Sequence, residues 1–152
     1  MKRNIINFLR KSFPFLLTVG LWRLSDPFWN PAGILAIIPV FFCSFIKPVK
    51  FFGIFSALIC LIIDYKFQTV CFWLAMYCLF YAVNGFQKRI DVTHSQKDGL
   101  LVFMSFFSFC MLLHTVIHFS WINLLYCMWI IVWCSLIYIP TVISIKKVCK
   151  YD

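Results

Sequence analysis

Apolar residues fall into six runs along the chain, separated by short polar connections. A helix rises about 1.5 Å per residue and needs about 20 residues to cross the hydrocarbon of a bilayer. The last three runs are long enough to cross, whereas the second and third are short and would need a thinned bilayer or span only part of it. The pattern predicts an all-α polytopic membrane protein, a single integral domain with six transmembrane segments. The runs cover residues 13–24, 31–46, 49–63, 67–86, 99–119 and 121–145.

Basic residues flank these runs and predict the membrane topology of the chain. With a cytoplasmic N-terminus, twelve of the 14 Lys and Arg residues fall on the cytoplasmic side, and only Arg23 and Lys66 fall outside. The positive-inside rule predicts this asymmetry. We therefore expect both termini in the cytoplasm. Residues 1–12 would form a basic amphipathic N-terminus on the membrane surface, and residues 146–152 a basic cytoplasmic tail.

Composition agrees with a lipid environment. Apolar residues make up 63% of the 152 residues and charged residues 12%, against roughly 25% charged in an ordinary soluble domain. The net charge of +9 is spread over short strips beside helix ends, where it favours contact with membrane lipids. No basic soluble domain is present to hold a duplex, so nucleic acid is not an expected partner. The eight cysteines include no C-x-x-C pair and are interpreted as small apolar residues.

Polar residues near the outer ends of the runs form one set of candidate site residues. They are Arg23, Asp26, His114, His118 and Asn123. Ionisable groups at membrane depth are costly and mark candidate sites, whereas the same groups in the head-group region are simply hydrated. His114 and His118 share one helix face, which can suit a metal, but two ligands are half of a tetrahedral site. We therefore expect no metal and no cofactor.

Sequence motifs of catalysis are missing from the chain. It contains no H-E-x-x-H, no G-x-S-x-G, no glycine-rich phosphate loop and no glutamate. We therefore expect that the chain is not an enzyme.

The third run contains a second set of candidates. In "SALICLIID", Ser56, Cys60 and Asp64 recur at a spacing of four and so share one face of a helix. Small residues in a membrane helix permit close approach of a neighbour. The pattern predicts a packing or interaction face that ends in a carboxylate at the exposed end of the helix.

These motifs resemble those of the rod shape-determining protein MreD family, small bacterial membrane proteins of five or six spans. In "NPAGILAIIPVFFCSFIKP", Pro31 introduces a short helix, and "SALICLIID" follows with small residues that lead to Asp64. The chain departs from the family pattern at Ser56 and Cys60, where glycine is usual, and at Phe72, where glycine is often found.

The resemblance implies a non-catalytic subunit of the cell-elongation machinery in the bacterial inner membrane. Such a scaffold would contribute to cell-shape maintenance and peptidoglycan elongation. Its partners would be the single-span protein MreC and peptidoglycan-elongation enzymes. Asp64 would either orient helices or pair with a basic group of a partner.

A small transporter is the alternative from another functional class, in particular a substrate-binding membrane subunit resembling vitamin-uptake components. Such a protein needs polar groups that converge on a cavity, often near the middle of the membrane. The runs offer mostly isolated Ser and Thr residues instead. Polar groups at the outer ends would still fit capture of an external ligand.

The membrane topology is testable by labelling single cysteines introduced into a cysteine-free variant. With Lys97→Cys, we expect no reaction with an impermeant reagent added outside, because the charge asymmetry places residue 97 in the cytoplasm. With Lys66→Cys, we expect labelling from outside. Outside labelling at position 97 would contradict the six-span arrangement.

Overall fold

The protein is described from a computed structural model, which covers residues 2–25, 31–47, 49, 51–67, 69–87 and 96–149. Every regular element in these residues is helical, which confirms the predicted all-α class for this part of the chain. The second element is a composite helix, residues 31–46, which begins as a 3₁₀ helix (Pro31–Ala36), continues as an α-helix (α2, Ile37–Phe41) and ends as a π-helix (Phe42–Ile46). The α-helices are α1 (Lys2–Ser25), α2 (Ile37–Phe41), α3 (Phe52–Phe67), α4 (Phe72–Gln87), α5 (Gln96–Ile117) and α6 (Trp121–Cys149).

The composite helix lies in the centre of the bundle. Residues 33–44 are all buried, and α1, α3 and α6 pack around them. On the remaining side, the ring of Phe41 contacts Phe80 of α4 at 5.5 Å between centroids, and Phe103 of α5 at 5.3 Å. A backbone covered by protein can depart from α-helical geometry, because neighbours rather than lipid surround its polar groups. This position explains how an element with 3₁₀ and π turns fits into the bundle.

Helix α1 runs without a break through the division expected near residue 12. Pro14 lies inside it and has no backbone N–H, so the carbonyl of Arg10 loses its intrahelical donor. The thiol of Cys149 at the end of α6 donates to that carbonyl at 3.5 Å. Helix α6 likewise continues through the first residues of the expected basic tail. The two ends are therefore joined as parts of the bundle.

Two helices of the described chain are both long enough and apolar enough to cross a membrane. They are the 19 residues Gly99–Ile117 of α5 and the 29 residues Trp121–Cys149 of α6. Large apolar side chains on both helices point away from the bundle, for example Leu112 and Leu125, which are 64% and 70% exposed. Helices α3 and α4 have 16 residues each, about 24 Å of helix, less than the roughly 30 Å of hydrocarbon. The third run is therefore short, as expected, but the expectation that the fourth run is long enough to cross is wrong for the helix that it forms.

Gly33 fixes the start of the composite helix. Its φ is +69°, a left-handed conformation that residues with a Cβ atom rarely adopt. The indole of Trp22 in α1 occupies the space where a Cβ atom would lie. A glycine therefore allows both the turn into the central helix and its close contact with α1.

We expect Gly33→Ala to lower the free energy of unfolding by about 1–3 kcal/mol from backbone strain alone, and by more if Trp22 must move. The matched control is Gly20→Ala, because a Cβ added at Gly20 meets nothing within 4 Å. That change should be neutral or stabilising by up to about 1 kcal/mol, since alanine favours a helix over glycine. Unfolding by SDS in mixed micelles measures both variants, and equal stability of the two would contradict this role of Gly33.

Candidate functional site at the ends of the helices

Asp64 is buried in the last turn of α3 and binds the beginning of α4. Only 3% of the residue is exposed, so it does not lie at an exposed helix end as the sequence pattern suggested. Its Oδ1 accepts hydrogen bonds from the Thr69 hydroxyl at 2.7 Å and the Trp73 backbone N–H at 2.9 Å. Its Oδ2 accepts one from the Leu74 N–H at 3.0 Å. The carboxylate therefore caps a helix that follows it in the chain.

The connection between α3 and α4 explains why this cap is needed. The first N–H groups of a helix have no intrahelical acceptor, and a Ser, Thr, Asp or Asn just before the helix commonly supplies one. Cys71 occupies that place, and it has a φ of +52°. Asp64 supplies the acceptors instead, and the negative charge also suits the positive end of the helix dipole. A hydrogen bond from the Thr69 N–H to the Asp64 carbonyl, 3.0 Å, holds the connection in place.

Ser56 belongs to a buried hydrogen-bond network at the inner face of α3. Its Oγ lies 3.0 Å from the Oγ of Ser44 in the π-helical part of the central helix. The hydroxyl of Tyr77 in α4 donates to Ser44 at 3.2 Å and lies 3.5 Å from the carbonyl oxygen of Gly53. Because each polar group finds a partner inside the protein, the network joins three helices directly.

Cys60 lies between these two polar contacts on the same face of α3. It is 3% exposed and belongs to the apolar core. The structure thus turns Ser56, Cys60 and Asp64 inward, toward the central helix and α4. None of the three is placed on a surface open to another protein.

The outer polar candidates are only partly brought together. The rings of His114 and His118 lie 5.3 Å apart between centroids. The side-chain amide of Asn123 donates to the His118 carbonyl oxygen at 3.0 Å and so closes the turn between α5 and α6. Arg23 is exposed in the last turn of α1. Asp26 lies outside the described residues.

A cleft of about 470 Å³ lies beside the two histidines. One wall is the end of α5, with His114, Ile117 and His118. The other wall is the α3–α4 connection and the first turn of α4, and it consists of Thr69, Val70, Cys71, Phe72 and Ala75. The ring of Phe72 meets that of His114 at 5.9 Å. The cleft thus lies between the histidine pair and the α3–α4 connection, which Asp64 holds in place.

Sequence reasoning missed the residues that complete these contacts. Thr69, Ser44 and Tyr77 stand in three different segments, and hydroxyl side chains in apolar runs have many ordinary explanations. The usual signal of a cap is missing, because Cys71 and not a Ser, Thr, Asp or Asn directly precedes α4, and Asp64 lies within the preceding helix.

Metal binding finds no complete ligand set in the described residues. Within them, no three His, Cys, Asp or Glu side chains are grouped closely enough to hold an ion. The histidine pair can donate and accept hydrogen bonds to a ligand in the cleft.

No protein-family model, curated protein or solved structure matches the chain. What the protein does must therefore be inferred from its own residues.

Asp64→Asn removes part of the cap and tests it. The single carbonyl oxygen of an amide can keep the hydrogen bonds from Thr69 and Trp73. The NH₂ group would replace Oδ2 and cannot accept the hydrogen bond from the Leu74 N–H. We expect the free energy of unfolding to fall by about 1–3 kcal/mol, and by more in Asp64→Ala, where all three bonds are lost.

The control for these variants is Thr69→Ser, which keeps the hydroxyl that donates to Asp64. This variant should unfold at nearly the same SDS concentration as the wild type. If Asp64→Ala and Thr69→Ser were equally stable, the carboxylate would not be the cap that supports α4.

Proposed function

We propose that this chain is a non-catalytic scaffold of the bacterial inner membrane, with six spans and both termini in the cytoplasm. We further propose that it acts as an MreD-like subunit in cell-shape maintenance and peptidoglycan elongation, by binding partner membrane proteins. The observation that carries the choice of a scaffold is the packed centre of the bundle. The following paragraphs give the contacts that support each part.

Aromatic side chains fill the middle of the bundle. Phe41 of the central helix is 1% exposed, and its ring contacts four others: Phe45, Phe80, Phe103 and Phe106, with centroids between 5.3 and 5.5 Å away. A transporter binds its substrate among polar groups around a cavity, typically near the middle of the membrane. Rings packed at these distances favour a rigid bundle over a transport pathway.

The buried polar groups of the bundle also favour a rigid body. Asp64 binds the start of α4, and Ser56 binds Ser44 of the central helix. Between α5 and α6, the Thr115 hydroxyl lies 3.1 Å from the Cys127 sulfur. Groups bonded to each other in this way hold helices in one arrangement and leave little to coordinate a substrate.

Contacts at the two ends of the bundle support the six-span threading. At one end, the ammonium of Lys66 in α3 lies 5.8 Å from the ring centroid of Trp22 in α1. At the other end, α6 meets α1 through Cys149 and Arg10. Helices α1 and α3 therefore run in the same direction and α6 runs in the opposite one, as expected if successive elements cross the membrane in alternation.

The inward orientation of Ser56, Cys60 and Asp64 changes the role proposed for them. They hold the scaffold together, and partner proteins would contact the outward helix faces. On α3 that face carries Ile54 and Leu58, which are 71% and 53% exposed. A single-span partner of the MreC type would supply one helix to pack beside such a face.

Depletion of the chain in its source bacterium tests this function. We expect rod-shaped cells to become round, and the tagged chain to co-purify with a single-span coiled-coil protein and with peptidoglycan-elongation enzymes. If depleted cells keep their shape, and the purified chain carries a stoichiometric small molecule, the substrate-binding alternative replaces the scaffold.

Two variants distinguish the effect of emptying the packed centre from the effect of removing a phenylalanine side chain elsewhere. Phe41→Ala empties the aromatic centre, which costs about 3–5 kcal/mol in a well-packed core, and we expect it not to restore cell shape. Phe109→Ala changes the same residue type at a position that is 54% exposed and should restore it. Equal complementation by the two variants would show that the packed centre is dispensable.

A further inference from the structure

The cleft beside His114 and His118 has two chemically different parts. The imidazoles supply hydrogen-bonding groups, whereas Phe72 and Ile117 supply an apolar surface. A ligand that fills both parts must itself be amphipathic. The cleft volume of about 470 Å³ is within the range of sites for small organic groups.

The polar part favours an anion. No carboxylate lines the cleft among the described residues. Asp64, which accepts the hydrogen bond of the Thr69 hydroxyl, does not line the cleft, and its oxygens also accept from two N–H groups of α4. Each imidazole carries at least one N–H donor. Two such groups with ring centroids 5.3 Å apart are suited to share one phosphate group.

The apolar part opens toward the lipid-facing surface of the bundle. Val70 at the rim is 97% exposed, and Val116 and Ile117 at the end of α5 are 73% and 61% exposed. Leu112, one turn earlier on α5, continues this apolar surface toward the middle of the helix. A hydrocarbon chain that leaves the cleft would therefore run along α5 within the bilayer.

We propose that the cleft binds a phospholipid of the outer leaflet. Its phosphate contacts His114 and His118, and the first part of an acyl chain packs on Phe72 and Ile117. This site rests on the membrane placement in the proposed function, but it does not depend on the identity of any protein partner.

Three compounds separate the parts of this ligand. Phosphatidylglycerol carries both the phosphate and the chains, diacylglycerol has the same chains without phosphate, and glycerol 3-phosphate has the phosphate without chains. Native mass spectrometry of the detergent-purified full chain counts the molecules retained. We expect one tightly held phosphatidylglycerol, and affinity at least about tenfold weaker for each of the other two compounds.

Variants locate the site. His114→Ala combined with His118→Ala should weaken phosphatidylglycerol binding about tenfold or more, because the hydrogen bonds to the phosphate are lost. The double replacement His114→Gln with His118→Gln keeps N–H donors and should retain more lipid than the alanine pair. Ser105→Ala, an exposed position on α5 outside the cleft, should bind as the wild type does. SDS unfolding of each variant shows whether it remains folded.

Three results would overturn the proposal. Equal binding of diacylglycerol would show that phosphate is not recognised, and equal binding of glycerol 3-phosphate would show that the ligand is soluble. Unchanged lipid binding by a folded alanine pair would place the lipid elsewhere. Failure of the scaffold function is distinguishable, because it appears in cell shape and co-purification, which this binding assay does not use.

Discussion

The bond between the Asp64 carboxylate and the first turn of α4 is the contact on which the rest of the arrangement depends. It joins the end of one short helix to the beginning of the next and satisfies N–H groups that have no acceptor in their own helix. The burial of this carboxylate is tolerated because three donors surround it. With α3 and α4 set in this way, Ser56 and Tyr77 meet Ser44, and the hairpin closes on the central helix.

The central helix determines the shape of the remaining bundle. Its 3₁₀ and π turns are covered by protein, because it lies among the regular α-helices of the bundle. Gly33 lets it start against Trp22, and Phe41 carries its contacts to α4 and α5. The outer face of the bundle is left to large apolar side chains such as Leu125 and Ile122, which are 70% and 77% exposed. The bundle is therefore packed inside and apolar outside.

Length and hydropathy predict α5 and α6 well, because a long apolar run has few other structures available in lipid. They also predict that a break separates the second and third runs. They do not predict that α1 continues through Pro14. The Arg10 carbonyl, which loses its donor there, accepts instead from Cys149, far away in the chain. Nor do they predict the burial of Asp64: a spacing of four places it on a face with Ser56, but says nothing about which neighbour that face meets. Contacts between distant segments decide both features.

Hydrogen–deuterium exchange at the first turn of α4 tests the central claim most directly. The amides of Trp73 and Leu74 have no acceptor within their own helix, and in this account Asp64 supplies it. We predict that both amides exchange slowly in the wild type, comparably to Tyr77 in the middle of α4, and that Asp64→Ala accelerates them selectively. Fast exchange of both amides in the wild type, or equal rates in the two proteins, would contradict the account.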